Sequence, residues 1–249
     1  MNPGTLMTLK QNLKSLRLST MGQEIEAKVR HAKEGGIGHE EFLLELTETE
    51  LQVRSENRQK RRLREAKFPL MKPFETFDFD SAPDLDNALF RELATCNFIK
   101  EKRNIVFLGR SGTGKTHMAT ALGIESCQNN YKTRFVTGYG LVNELIEARK
   151  EKDLTRVLQR YTRYDVLILD ELGYVPFSKE GAELLFQVLA ERHERGSVII
   201  TTNLGFADWT QIFGNANMTA ALLDRITHKA HIINCVWKSY RLKETLRQQ

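Results

Sequence analysis

Apolar positions along the chain change their period near residue 68. Before it they recur at helical spacing: Leu6, Leu9, Leu13 and Leu16 share one stripe, and Met21, Ile25 and Val29 repeat every fourth position. Gly35-Gly36-Ile37-Gly38 stops the second stretch, and a third begins after His39, with Glu40 and Glu41 in its first turn. Behind them come Phe42, Leu43, Leu44 and Leu46, and Thr47-Glu48-Thr49-Glu50 has the spacing of a capping box, a helix-start signature. These stripes predict a small all-helical domain over residues 1–67, or a surface that another subunit or protein covers. Phe68-Pro69-Leu70-Met71-Lys72-Pro73 breaks the pattern, and its two prolines predict an extended linker over residues 68–80.

From residue 81 to 249 short apolar runs alternate with helical stretches. Strand candidates are 104–109, 133–137, 165–170, 197–202 and 231–235. Val166-Leu167-Ile168-Leu169 and Val198-Ile199-Ile200 are apolar without alternation, as in parallel strands covered on both faces. The expected class is α/β, a doubly wound parallel sheet flanked by helices. No internal repeat or low-complexity segment appears.

The composition, 41% hydrophobic and 28% charged over 249 residues, suits a water-soluble protein with a sizeable core. No apolar run approaches the roughly 20 residues of a membrane span, and Met1-Asn2-Pro3-Gly4 does not open a secretion signal. A cytoplasmic protein without membrane contact is expected. Cys96, Cys127 and Cys235 have no C-x-x-C spacing and are expected as buried free thiols.

The net charge of +5 is unevenly placed. Seven basic residues (Arg54, Arg58, Lys60, Arg61, Arg62, Arg64, Lys67) oppose only Glu56 and Glu65, and from Arg225 onward six oppose only Glu244. Such clusters suit a polyanion such as DNA, or form a solvated helix face or tail.

The chemistry concentrates in two motifs. Gly109-Arg110-Ser111-Gly112-Thr113-Gly114-Lys115-Thr116 follows the apolar run 105–108 and precedes a helical stretch. That strand–loop–helix setting marks a phosphate-binding loop, whose successive amides and helix N-terminus face the phosphates. Lys115 would reach the β- and γ-phosphates of ATP, and the Thr116 hydroxyl would ligate Mg²⁺. Asp170 and Glu171 end an apolar strand, where ligands collect in open α/β sheets. Asp170 would hold the magnesium directly or through its water shell. Glu171 would act on the attacking water as a general base or by orienting it. Asn203, at the next strand end, can hydrogen-bond both water and γ-phosphate. Charge on the far side of the γ-phosphate calls for an arginine finger, with Arg225 as candidate and Arg192 and Arg195 behind it.

The order and spacing of these motifs resemble the IstB-type insertion-sequence helper ATPases, AAA+ relatives of the bacterial helicase loaders. The resemblance rests on the leucine-rich first helices, Ala66-Lys67-Phe68-Pro69, Phe77-Asp78-Phe79 and the phosphate loop. Leu169-Asp170-Glu171-Leu172-Gly173-Tyr174, Thr201-Thr202-Asn203, Leu223-Asp224-Arg225-Ile226 and Ser239-Tyr240-Arg241-Leu242 complete it. It implies an AAA+ P-loop NTPase fold and ATP-dependent oligomers, with ATP sites between subunits, that deform duplex DNA and present it to a partner transposase. It places Arg225 at the trans-acting finger and Asn203 at sensor 1. It makes residues 140–163 the initiator-type insertion, whose Arg149, Lys150, Lys152, Arg156, Arg160 and Arg163 would contact phosphates. Only fourteen residues follow Cys235, so no helical lid domain is expected, and Arg241 is a substitute for a sensor-2 arginine.

Three other functions compete. A replicative helicase loader would share the motor half, and the helical N-terminal region favours transposition over it. A small-molecule P-loop kinase would need an acceptor pocket and a lid, and leaves Asn203 and Arg225 without roles. A non-hydrolysing DNA-binding protein is at odds with the Asp170-Glu171 pair.

Overall fold

A computed structural model describes residues 3–240. The chain divides into two compact units, Met1–Arg61 and Arg62–Gln249.

The first unit is made of α1 (Pro3–Ser15), α2 (Ser19–Gly35) and most of α3 (His39–Ala66). Leu13, Met21, Ile25 and Leu46 are its buried apolar side chains, with Leu6, Leu9 and Val29 packed against them; Leu16, expected on the same stripe, lies past the end of α1 and is exposed, as are Leu43 and Leu44. Gly36 ends α2 in the left-handed region, at φ +63°, where glycine carries no Cβ penalty. The capping-box spacing at residues 47–50 does not start a helix. α3 runs unbroken through it, because residues 39–46 are already helical and Thr47 Oγ1 donates to the Leu44 carbonyl at 2.8 Å. Glu50 instead turns to α2, where its Oε2 accepts the Met21 N–H at 2.8 Å, while Oε1 accepts from Arg54 Nε at 2.7 Å. It caps a helix that has no side-chain cap of its own at Leu18.

The second unit holds a five-stranded sheet. In chain order it runs α4 (Asn87–Ala94), α5 (Asn97–Lys100), β1 (Ile105–Gly109), α6 (Lys115–Gln128), β2 (Thr133–Thr137), α7 (Gly138–Lys150), α8 (Leu154–Thr162) and β3 (Val166–Leu172). There follow α9 (Lys179–Arg192), β4 (Ser197–Thr202), α10 (Thr210–Phe213), α11 (Ala216–Thr227) and β5 (His231–Cys235). The strand order is β2-β3-β4-β1-β5, every pair parallel. Alternate residues of the apolar runs feed opposite faces. Val106, Leu167, Leu169, Val198 and Ile200 join the core under α7, α8, α9 and α11. Ile105, Phe107, Val166, Ile168 and Ile199 join the one under α4 and α6. Both faces are dry, which is why these strands lack a polar register.

Residues 68–80, expected to be extended, carry two single 3₁₀ turns, Phe74–Thr76 and Phe79–Ser81. Aromatic rings bind the segment to the sheet unit. Phe68 meets Phe135 edge-on at 6.2 Å and Phe74 stacks on Phe90 at 5.0 Å. The prolines set the backbone direction, but burial of four phenylalanines decides where the segment lies. Cys96, Cys127 and Cys235 are buried and free, and burial raises the thiols to about 11, about 11 and about 12 respectively. Among the described residues no helix is long and apolar enough to cross a membrane.

Candidate functional site

β1 delivers the chain to the phosphate loop at the carboxyl edge of the sheet, and α6 leaves it at Lys115. The loop needs glycine for contact as much as for curvature. Gly112 lies at φ +82°, and a Cβ there would sit 2.0 Å from Ser239 Oγ. A Cβ on Gly109 would sit 2.2 Å from the Cys235 carbonyl oxygen. Lys115 is buried, and its ammonium donates to the carbonyls of Gly109 at 2.7 Å and Arg110 at 2.6 Å. A charge held by its own loop is already desolvated and close to where an anion would enter.

Beside it, β3 leaves its register with β4 between Leu169 and Leu172. At that irregularity Glu171 takes a left-handed backbone, φ +55°, strain of about 1–2 kcal/mol for a non-glycine residue. Thr201 of β4 fills the gap. Its Oγ1 donates to Asp170 Oδ1 at 2.6 Å and accepts the Glu171 N–H at 2.9 Å. Asp170 Oδ1 also accepts from Thr116 Oγ1 at 3.0 Å. Thr201 therefore joins the Asp170 carboxylate to the Glu171 backbone, and Thr116 joins that carboxylate to the loop. Of residues 201–203 only Asn203 has a chemical role expected from the sequence; Thr201 has none. The bulge that gives Thr201 its place arises from pairing between strands and has no signal in either strand alone.

These groups line a cavity of about 620 Å³, a size suited to a nucleotide. Ser111, Gly112, Thr113, Gly114, Lys115, Thr116, Glu171 and Asn203, all singled out in the sequence, are on its wall, and Asp170 lies buried behind it. Gly109 and Arg110 contribute carbonyls to Lys115 rather than wall. Phe77, His117, Trp237 and Tyr240 also line it, and none was picked out for a role from sequence. Burial keeps His117 below its ordinary imidazole value, so it is neutral at pH 7, and its ring stands edge-on to Phe77 at 5.2 Å.

With this geometry the kinship is decided by the profile of the IstB-like ATP binding protein family, which matches residues 11–248. The chain belongs to this family. It is 38% identical to the ATP-binding protein named for insertion sequence IS5376 of Geobacillus stearothermophilus, over 94% of this chain and 93% of that one. To the corresponding IS21 protein of Pseudomonas aeruginosa it is 37% identical, over 93% and 88%. Among solved structures, AMPPCP-bound DnaA from Aquifex aeolicus superposes with a TM-score of 0.58 at 16% identity, over 72% of this chain and 55% of that one. The DnaC helicase loader does so at 0.51 and 24%, over 61% and 87%. These likenesses establish the AAA+ P-loop fold.

In this IstB-like chain the arginines separate. Arg192 is no finger candidate: it is 1% exposed, and its guanidinium donates to the carbonyls of Tyr161, Tyr164 and Ser197 at 2.5, 2.9 and 3.0 Å. Burial lowers it to about 10, with Asp165 opposing, so it stays charged at neutral pH. Arg195 is exposed. Arg225 is half-buried, donates to Ala221 O at 2.7 Å and lies 5.6 Å over the Phe186 ring. It lines a separate polar pocket with His193, His228 and Lys229, not the phosphate-loop cavity. Arg241 lies outside the described residues, as do Lys243 and Arg247 of the C-terminal basic cluster. Residues 140–163, expected as an insertion, lie in α7, which begins at Gly138, and in α8, and three of their cations have acidic neighbours: Arg149 with Glu180, Arg156 with Asp153 and Arg160 with Glu144. Lys150, Lys152 and Arg163 are exposed.

Proposed function

We propose that this chain is a Mg²⁺-dependent ATPase that assembles with copies of itself on duplex DNA, remodels it and assists a partner transposase. The observation that carries the reading is the hydrogen-bonded chain Thr116–Asp170–Thr201–Glu171 beside a phosphate loop. A structural strand end has no need to tie the Asp170 carboxylate to that loop and to fix the backbone of Glu171 beside it. The Thr116 hydroxyl and the Asp170 carboxylate are hard oxygen donors side by side, which fits magnesium. When bound, the ion would neutralise charge on the β- and γ-phosphates.

The residues supply the rest. Lys115 exchanges the Gly109 and Arg110 carbonyls for phosphate oxygens, so its desolvation is met in both states. Glu171, exposed to the cavity, orients a water or takes its proton as the water oxygen attacks the γ-phosphorus, and the bond to the ADP oxygen breaks. Asn203, on the same wall, holds that water and the γ-phosphate together. Lys72 and Lys115 are the cations among the described lining residues, and no arginine is there. In this reading Arg225 of a neighbouring copy, at the position that the family resemblance gives the finger, supplies the charge opposite the γ-phosphate, which makes the active site and the assembly interdependent. The names of the relatives support the place in an insertion sequence, and the exposed basic residues of α3 and of the α7–α8 insertion support phosphate contacts with DNA. The helicase-loader reading rests on fold likeness alone.

The test is complementation. Lys115→Ala should bind no ATP, Arg225→Ala should bind but hydrolyse at a small fraction of the parental rate, and a mixture of the two should regain activity. Unchanged affinity in the Lys115 variant sinks the phosphate-loop assignment, and a mixture as inactive as its parts sinks the shared site. Particle size should grow with ATP and duplex DNA together. A monomer hydrolysing at full rate without DNA overturns the assembly.

A further inference from the structure

The five residues after β5, 236–240, cross the phosphate loop and bind its backbone. The Trp237 indole Nε1–H donates to the Thr113 carbonyl at 2.9 Å, and the Tyr240 amide donates to the Gly112 carbonyl at 2.9 Å. Ser239 rests against Gly112, where an added Cβ would sit 2.0 Å from its Oγ and 3.0 Å from its Cβ. Trp237 is 7% exposed and packs in the core that contains α6, whereas the Tyr240 ring, 42% exposed, forms part of the cavity wall.

Five carbonyls of the loop, those of Gly109, Arg110, Gly112, Thr113 and Gly114, are held by protein donors. Lys115 holds those of Gly109 and Arg110, the strap holds those of Gly112 and Thr113, and Met118 N–H holds that of Gly114 at 2.9 Å. A phosphate loop works by turning amides, not carbonyls, toward the anion. At a glycine such as Gly112 a peptide flip is sterically cheap, and a flipped carbonyl would set a partial negative charge against the triphosphate. Two donors from one strap oppose that flip.

We infer that the 236–240 strap is a working part of the nucleotide site, with Trp237 as a positioning residue that holds the Gly112-Thr113 backbone in its phosphate-accepting arrangement. The inference rests on the ATP-site reading above. The strap also links loop geometry to the chain that continues from Tyr240, so a ligand that orders the loop orders the strap.

Trp237→Phe removes the indole donor and keeps a ring in the core. Its affinity for MgATP should fall about 3- to 10-fold, the worth of one net hydrogen bond, with the loss appearing in KM more than in kcat. In the unaltered protein, amide hydrogen exchange across 236–240 should slow when MgATP is added, a readout independent of whether the variant folds. Parental affinity in a folded Trp237→Phe chain, or strap exchange indifferent to saturating MgATP, overturns the inference. If Lys115→Ala leaves ATP affinity unchanged, the ATP-site reading itself has failed, and the two failures are told apart by that control.

Discussion

In the helical unit Leu13, Met21, Ile25 and Leu46 are the buried apolar side chains, and Glu50 is the charged group buried with them. In the sheet unit two continuous cores cover both faces, and four of the buried polar groups, Thr113, Lys115, Asp170 and Thr201, gather at one edge. The difference lies in what buried polarity does. Where apolar area is scarce, a carboxylate joins helices by accepting an orphan amide. Where it is plentiful, stability is secured elsewhere and a strand end can hold strained backbone and unneutralised charge in readiness for a ligand. Arg192 stands between the cases: a charged side chain of the sheet unit whose guanidinium joins the ends of α8, β3 and β4 and faces no ligand.

The contrast can be broken at several points. Glu171→Gln should lower ATP hydrolysis by two orders of magnitude or more, roughly what a lost general base or water-orienting group costs, and leave ATP binding intact. Single-turnover rates near the parental value would move the role elsewhere on the cavity wall. Arg192→Met should cost about 3 kcal/mol or more, because three carbonyls lose their donor in a dry setting. Denaturant melts monitored on the sheet unit report it, and a loss under 1 kcal/mol would show that water replaces the guanidinium.

Glu50→Gln should cost about 1–2 kcal/mol and act on the helical unit. It also carries a pH signature. Burial raises the Glu50 carboxyl, but the Met21 amide, Arg54 and the Thr20 amide together hold it below the ordinary 4.5. Its stabilising contribution is thus full above 4.5 and lost as the pH falls through the lower folded value. Acid melts of the parent should lose stability there, and those of the variant should lose less. The smallest effect belongs to Thr47→Ala, which should change stability by no more than about 0.5 kcal/mol, since Thr47 is inside α3. A loss near 1 kcal/mol would be that of an N-cap and would place a helix start there after all.

Much of this was legible in the chain because it depends on neighbours in sequence. The five strands, the glycines of the loop, Lys115 with Thr116, and the acids at the end of β3 all follow from apolar period and local spacing. So do the inward positions of α1 and α2, except Leu16, which falls past the end of α1 and is exposed. The other exceptions share a cause. Thr47-Glu48-Thr49-Glu50 has a local signature, but Glu50 found a better amide on another helix. Residues 68–80 read as a linker, yet rings at 68, 74, 77 and 79 found a core to enter.

Residue order alone thus determined which groups would meet phosphate, because a strand, a tight turn and a helix start are contiguous in the chain. Tertiary structure alone decided how they are held. Thr201 joins Asp170 to Glu171 only because β3 slips against β4, and Trp237 reaches Thr113 only because β5 pairs with β1. It also parted Arg192 from Arg225, burying one among carbonyls and leaving the other beside a solvent pocket. Such contacts form between segments far apart in the chain, and no local pattern encodes the distance that makes them.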